Sequence, residues 1–153
     1  MIEDKLKELG LTLPEPPAPQ ANYVTAVQVG SWLYTSGQSC LVDGRIVYQG
    51  RVGSDLTLEE GYQAARLTAL NLLATIKAQV GDLERIERVV KVLGFVNSDP
   101  DFHDQPEVIN GASDLLVAVL GERGRHARSA LGTNNLPRNI PVEIEMVVKL
   151  KED

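Results

Sequence analysis

Apolar positions change their spacing several times along this chain, and each change marks an element. Ile2, Leu6 and Leu9 recur at helical spacing, and Gly10 stops the short amphipathic helix they predict. Pro14-Glu15-Pro16-Pro17-Ala18-Pro19 removes backbone donors and fixes φ, so this stretch runs extended across a surface. Residues 1–20 therefore read as an arm, docked through its few leucines onto a domain spanning 21–153. From Tyr23 to Val29 and from Trp32 to Ser36 the chain is rich in β-branched and aromatic residues, with Gly30-Ser31 between them: a hairpin with a two-residue connection. A smaller hairpin follows, turning at Asp43-Gly44 between Leu41-Val42 and Ile46-Val47-Tyr48.

The period then becomes helical. Thr57 with Glu60 three residues on is a capping box, and Ala65, Ala69, Leu72, Leu73, Ile76 and Val80 form one apolar stripe ended by Gly81. Val89-Val90-Lys91-Val92-Leu93-Gly94-Phe95-Val96 reads as a strand buried largely on both faces. A second long helix starts near Pro106, carries Val108, Ile109, Leu115, Leu116, Val119 and Leu120, and closes at Gly121 and Gly124. Strands near 127–132 and 141–150 finish the chain.

The order ββ(ββ)αβαββ predicts an α+β layer, one mixed sheet with both helices on one face. Two helices cover only one side of a sheet. Val-rich strands would leave the other side apolar and open, so burial against further copies of the chain is expected, with ligand sites between subunits.

Composition narrows the class. An apolar fraction of 43% and a charged fraction of 24% are ordinary for a globular protein, and the net charge is −6. That balance lowers the expectation of a nucleic-acid partner; the nearest basic cluster is Arg123-Gly124-Arg125-His126-Ala127-Arg128. One cysteine, Cys40, excludes an intrachain disulfide and reads as a small buried hydrophobe. His103 and His126 are too few and scattered for a metal site, and no phosphate loop or dinucleotide fingerprint occurs. There is no apolar run of membrane-spanning length, and the acidic start lacks the apolar core of a secretory signal. A cytoplasmic setting is expected.

Candidate chemistry concentrates near the end. Arg128 sits among small residues in Ala127-Arg128-Ser129-Ala130, where its guanidinium needs an anion. That anion is either a carboxylate of the protein or that of a ligand, for which the planar fork is well shaped. Glu143 and Glu145 share one strand face, opposite Val142, Ile144 and Met146. On a solvated face they are surface charges. Against another subunit, Glu143, nearer the Leu136-Pro137 turn, could place or deprotonate a water. Tyr23, Ser36 and Asn110 are polar groups at glycines or strand ends, within reach of a pocket.

Together, Tyr34-Thr35-Ser36-Gly37-Gln38, then Phe95-Val96 with Asp101-Phe102, then Ala127-Arg128-Ser129, Leu136-Pro137 and Val142-Glu143-Ile144-Glu145 resemble the RidA family, also called YjgF or L-PSP endoribonuclease. The arm and overall length are similar to a longer-chain branch. The resemblance implies a chorismate-mutase-like fold and a homotrimer with inter-subunit clefts. It also implies an enamine/imine deaminase that needs no cofactor and converts 2-aminoacrylate-type 2-imino acids to 2-keto acids and ammonia. By the same resemblance Arg128 holds the substrate carboxylate, Glu143 places the water, and Tyr23, Ser36 and Asn110 line the pocket.

Departures bear on the substrate. Where the family often has Pro-Ala-Arg-Ser-Cys this chain has His126-Ala127-Arg128-Ser129-Ala130, without the cysteine. The usual Gly-Pro-Tyr is Ala21-Asn22-Tyr23, and the loop at Gly121–Arg125 is slightly longer. Two other functions stay open. One is a non-catalytic or regulatory binder of a small carboxylate metabolite, favoured by the altered rim. The other is an endoribonuclease or translation inhibitor, supported only by Arg123, Arg125 and Arg128 and opposed by the acidic balance and the lack of an acid/base histidine pair.

Overall fold

A computed structural model describes residues 1–152. Helix α1 (Ile2–Glu8) is followed by the hairpin β1 (Ala26–Val29) and β2 (Trp32–Thr35), then the short pair β3 (Leu41–Val42) and β4 (Arg45–Ile46). Next come α2 (Leu58–Val80), β5 (Ile86–Asn97), α3 (Gln105–Leu120), β6 (Ala127–Thr133) and β7 (Val142–Leu150). The boundaries have local causes. The β1–β2 register leaves Gly30-Ser31 as the connection, and Asp43 and Gly44 both take positive φ, as the tight turn between β3 and β4 demands. Thr57 and Glu60 form the capping box at α2, whose carboxyl end stops at Gly81.

The main sheet is five-stranded in the order β1-β2-β7-β5-β6. Only β5 and β6 run parallel, joined by α3 as the crossover; every other neighbouring pair is antiparallel. The sheet is thus mixed, and α2 and α3 pack on one face. Their buried residues, Leu72, Leu73, Ile76, Ile109, Leu115 and Leu116 among them, meet Leu33, Val92, Val96, Val142, Ile144 and Val148 in one core. Between the helices Gly111 removes the last obstacle, since a Cβ there would lie 2.0 Å from the Tyr62 carbonyl oxygen.

The opposite face is open. Val27, Val29, Trp32, Tyr34 and Leu131 are 40–65% exposed there. This face also corrects the reading of β5 as buried on both sides. Val92 and Val96 are fully buried, whereas Leu93 and Phe95, pointing the other way, are half-buried. The described residues cover them only in part.

The arm does dock. Ile2 and Leu6 are buried, and the Ile2 amide donates to Glu84 Oε1 at 2.6 Å. Leu11 and Leu13 pack against the core edge, whereas Leu9 is exposed. Among the described residues no helix is long and apolar enough to cross a membrane.

Candidate functional site

The alternation of β7 fixes where Glu143 points. Val142 and Ile144 are fully buried against the helices, so Glu143 and Glu145 emerge on the open face. Beside them runs the segment after β2, held to β7 by two backbone bonds: the Gln38 amide to Ile144 O at 3.0 Å, and the Ile144 amide to Gln38 O at 2.9 Å. This pairing lays Gly37 against Glu143 and brings Ser36 to the same cavity wall. Ser36 in turn donates its hydroxyl to Val24 O at 2.6 Å, tying the chain just before β1 to the same place.

A cavity of about 660 Å³ opens here. Tyr23, Ser36 and Glu143 line it, together with Gly37, Gln38 and the Pro137–Ile140 turn. The arm supplies another wall through Glu15, Pro16, Pro17, Ala18 and Gln20. Tyr23 is fixed at the junction, its hydroxyl accepting from the Gln20 amide at 3.2 Å.

Glu143 is half-buried and makes no side-chain hydrogen bond or ion pair among the described residues. Burial raises its pKa above the ordinary 4.5, and the neighbouring negative charge of Glu145 adds to the rise. A carboxyl group so placed is a stronger base than a free one and is able to take a proton from water.

Arg128 and Asn110 lie elsewhere. Arg128 pairs in register with Val92, a buried helix-facing residue, so its side chain turns towards α3. There Nη1 donates to Asn110 Oδ1 at 2.8 Å and to Ser113 Oγ at 3.1 Å, and Nη2 lies 3.4 Å from Pro106 O. Pro106, Asn110 and Ser113 stand at i, i+4 and i+7, so the Pro106 carbonyl and the two polar side chains fall on one line of the helix. All three partners are neutral. Among the described residues no carboxylate pairs with Arg128, so the structural ion pair that the sequence left open is not made within the chain.

The five predicted residues therefore form two groups. Tyr23, Ser36 and Glu143 belong to the open-face cavity, while Arg128 and Asn110 belong to the α3–β6 side. β5 separates β6 from β7, a gap of about 10 Å at ordinary strand spacing, and the two groups face opposite sides of the sheet. A single chain does not bring them together.

Sequence reasoning missed Ser113, Gly37 and Arg138. Ser113 was legible as the residue three beyond Asn110 on a helix. Arg138 lines the cavity at a left-handed backbone position, φ 56°, with its carbonyl held by Gln49 Nε2 at 3.0 Å. Cys40 is fully buried and His103 is exposed, and neither borders the cavity. Among the described residues no cluster of His, Cys, Asp and Glu is placed to hold a metal ion.

Comparison with known proteins agrees with this architecture. Protein TCP17 of Trypanosoma cruzi is 46% identical over 150 residues, 97% of this chain and 94% of that protein. A 2-iminobutanoate/2-iminopropanoate deaminase of Dermatophagoides farinae is 29% identical over 141 residues, covering 92% of this chain and 95% of its own. The crystal structure of Atu1372 from Agrobacterium tumefaciens, a protein of unknown function, superimposes with a TM-score of 0.92 at 49% identity, over 98% of this chain and 92% of that one. Residues 3–150, arm included, match the family described as "YjgF/chorismate mutase-like, putative endoribonuclease", and the chain belongs to that family.

Proposed function

We propose that this protein is an enamine/imine deaminase. It hydrolyses 2-aminoacrylate-type 2-imino acids to 2-keto acids and ammonia in clefts between the subunits of a homotrimer, in a cytoplasmic setting and without a cofactor. The observation that carries the reading is the half-buried Arg128 guanidinium, held in place by neutral acceptors with its charge unpaired. An anion is the missing partner, and a carboxylate matches the fork. The relative from Dermatophagoides farinae bears a deaminase name, which supports the choice of reaction.

The trimer enters for a physical reason. The carboxylate anchor and the water-handling carboxyl stand on opposite faces of one sheet, while the open face exposes apolar and aromatic side chains. Burying that face against neighbours would set the cavity of one copy opposite the Arg128 edge of the next.

In that cleft Arg128 would orient the substrate carboxylate, with Asn110 steadying the guanidinium and Tyr23 and Ser36 bounding the imine. Glu143 would take a proton from water as its oxygen bonds to C2, and the iminium C=N electrons move to nitrogen. The proton returned by Glu143 makes the amine a leaving group. Collapse of the C–N bond, with the hydroxyl proton passing to Glu143 and then to ammonia, gives keto acid and ammonium. Water and iminium are consumed, and Glu143 ends as it began. Positioning carries most of the catalysis, because the imine carbon is already electrophilic.

A second reading draws on the cavity itself. At about 660 Å³ it is much roomier than a three-carbon imino acid requires. That favours a bulkier imino acid, or a carboxylate metabolite bound without turnover. Keto-acid release from freshly generated 2-aminoacrylate, by wild type and Arg128→Ala against a no-protein control, decides between them. Acceleration by wild type alone supports the deaminase. Background rates with a ligand-induced melting shift support the binder.

A further inference from the structure

The bonds to Arg128 do not end at α3. Ser113 Oγ, 3.1 Å from Arg128 Nη1, also lies 2.9 Å from His126 Nε2, and His126 Nδ1 lies 2.6 Å from Gly124 O. A carbonyl only accepts, so Nδ1 carries the ring proton and the neutral ring offers a lone pair at Nε2. The Ser113 hydroxyl then has one arrangement that satisfies both neighbours: it accepts from the guanidinium and donates to the imidazole. Burial holds the pKa of His126 below the ordinary 6.5 and outweighs the opposing pull of the Gly124 carbonyl, while the nearby Arg128 charge adds to the lowering. The neutral ring is the form present at pH 7.

The far end of this chain is fixed. Gly124 closes the short turn Gly121–Gly124 and lies so near α3 that a Cβ would meet Leu116 O at 2.3 Å. The turn therefore packs directly on the backbone of the helix, with no side chain between. His126 immediately precedes β6 and stands two residues from Arg128, on the same side of the strand.

We propose that Ser113 and His126 are positioning residues that hold the Arg128 guanidinium in the orientation that receives a ligand carboxylate. Three hydrogen bonds running in one direction, Arg128 to Ser113 to His126 to Gly124, join the flexible end of the arginine to a turn locked on α3. The proposal rests on the reading of Arg128 as a carboxylate anchor, and it adds the residues that aim it. An arginine free to sample rotamers would lose that freedom on binding and bind more weakly.

The test measures the affinity of a keto-acid product, 2-oxobutanoate, by calorimetry, alongside kcat and KM for imino-acid hydrolysis. The proteins are wild type, Ser113→Ala, Ser113→Thr and His126→Phe, with thermal melts of each. Alanine is favourable in a helix, so Ser113→Ala removes the hydroxyl without a cost in helix propensity, and the melts report what the lost hydrogen bonds cost the fold. The expected result is a rise of about 5- to 10-fold in KM and Kd for Ser113→Ala and His126→Phe, the size of one lost hydrogen bond, with kcat within about twofold of wild type. Ser113→Thr, which keeps the hydroxyl, returns both towards wild type.

Unchanged Kd and KM in both Ser113→Ala and His126→Phe would overturn the proposal. So would losses that track the melting temperature and are not restored by threonine. If wild type turns over no imino acid yet the Kd shifts appear, the mount stands and the deaminase reading falls. If wild type turns over and the Kd values do not move, the reverse holds. Failure of wild type both to turn over and to bind the keto acid would sink both.

Discussion

The Glu143 carboxyl group rests against the bare backbone of Gly37. A Cβ at residue 37 would lie 3.0 Å from Glu143 Cγ and Cδ and 3.2 Å from Oε2, closer than side chains ordinarily tolerate. Gly37 thus reserves the space in which Glu143 stands, between the segment after β2 and the first residues of β7.

Gly37→Ala should therefore act on activity more than on stability. The obstructing atoms are the end of a flexible side chain, so the fold yields by turning Glu143 aside, at a cost of about 1 kcal/mol or less. The expected outcome is a fall in kcat of at least about tenfold with a melting temperature near wild type, read from parallel kinetics and thermal melts. A drop in melting temperature with kcat retained would show that the close approach is only packing.

The raised pKa of Glu143 predicts two pH effects that share one cause. In its proposed role as base Glu143 must be ionised, so the acid limb of kcat/KM should have its midpoint above the ordinary carboxylate value of 4.5 and vanish in Glu143→Gln. For stability the sign is opposite to that of a salt-bridged carboxylate. The folded state favours the protonated form, so ionisation is harder folded than unfolded. Stability is unaffected below the unfolded pKa and declines as pH rises through the folded one. Glu143→Gln should accordingly match wild type in acid and melt higher at neutral pH. Denaturant titrations at both pH values check this, and equal stabilities throughout would mean that the group is effectively solvated.

Much of this architecture was legible because its signals are local. The Thr57–Glu60 capping box, Gly81 after α2 and Pro106 in the first turn of α3 each act within a few residues, and the elements begin and end where they stand. The side of the sheet on which Glu143 stands was legible because a strand alternates strictly, which put it opposite two buried residues. Arg128 and Asn110 were legible as residues but not as partners, because their meeting depends on the parallel β5–β6 crossover. Ser113 was legible only as the residue one turn beyond Asn110, and Arg138 lay in a turn whose left-handed backbone no periodicity encodes. The Pro-rich arm read as extended, yet that it walls the cavity follows only from tertiary docking.

The α2–α3 contact gives a stability prediction independent of function. A Cβ on Gly111 would lie 2.0 Å from Tyr62 O and 3.1 Å from Arg66 N, both backbone atoms that no rotamer change can move. Gly111→Ala gains helix propensity of about 1 kcal/mol but must push the helices apart along a core both share. The expected net loss is about 3 kcal/mol or more, measured by denaturant unfolding, with the buried Leu72, Leu116 and Ile109 losing packing together. Stability equal to wild type would mean that the helices slide past one another freely.

The unpaired charge of Arg128 can be tested by giving it a partner in place. Asn110→Asp changes only an amide to a carboxylate, at the oxygen already 2.8 Å from Arg128 Nη1. The shape is conserved and the local charge is neutralised. Because the pair is half-buried, its contribution to stability should be small, about 1 kcal/mol or less, and favourable. Affinity should move the other way. A ligand carboxylate would now compete with an internal one and meet its negative charge, so KM should rise and keto-acid binding weaken by at least about tenfold, or 1.4 kcal/mol. Asn110→Ala serves as the contrast: it removes the acceptor without adding charge and should weaken binding less. Aspartate and alanine with equal affinities would show that the guanidinium charge is not what the ligand meets, and the carboxylate anchor would have to be sought at Arg138, the cation already lining the cavity beside Glu143.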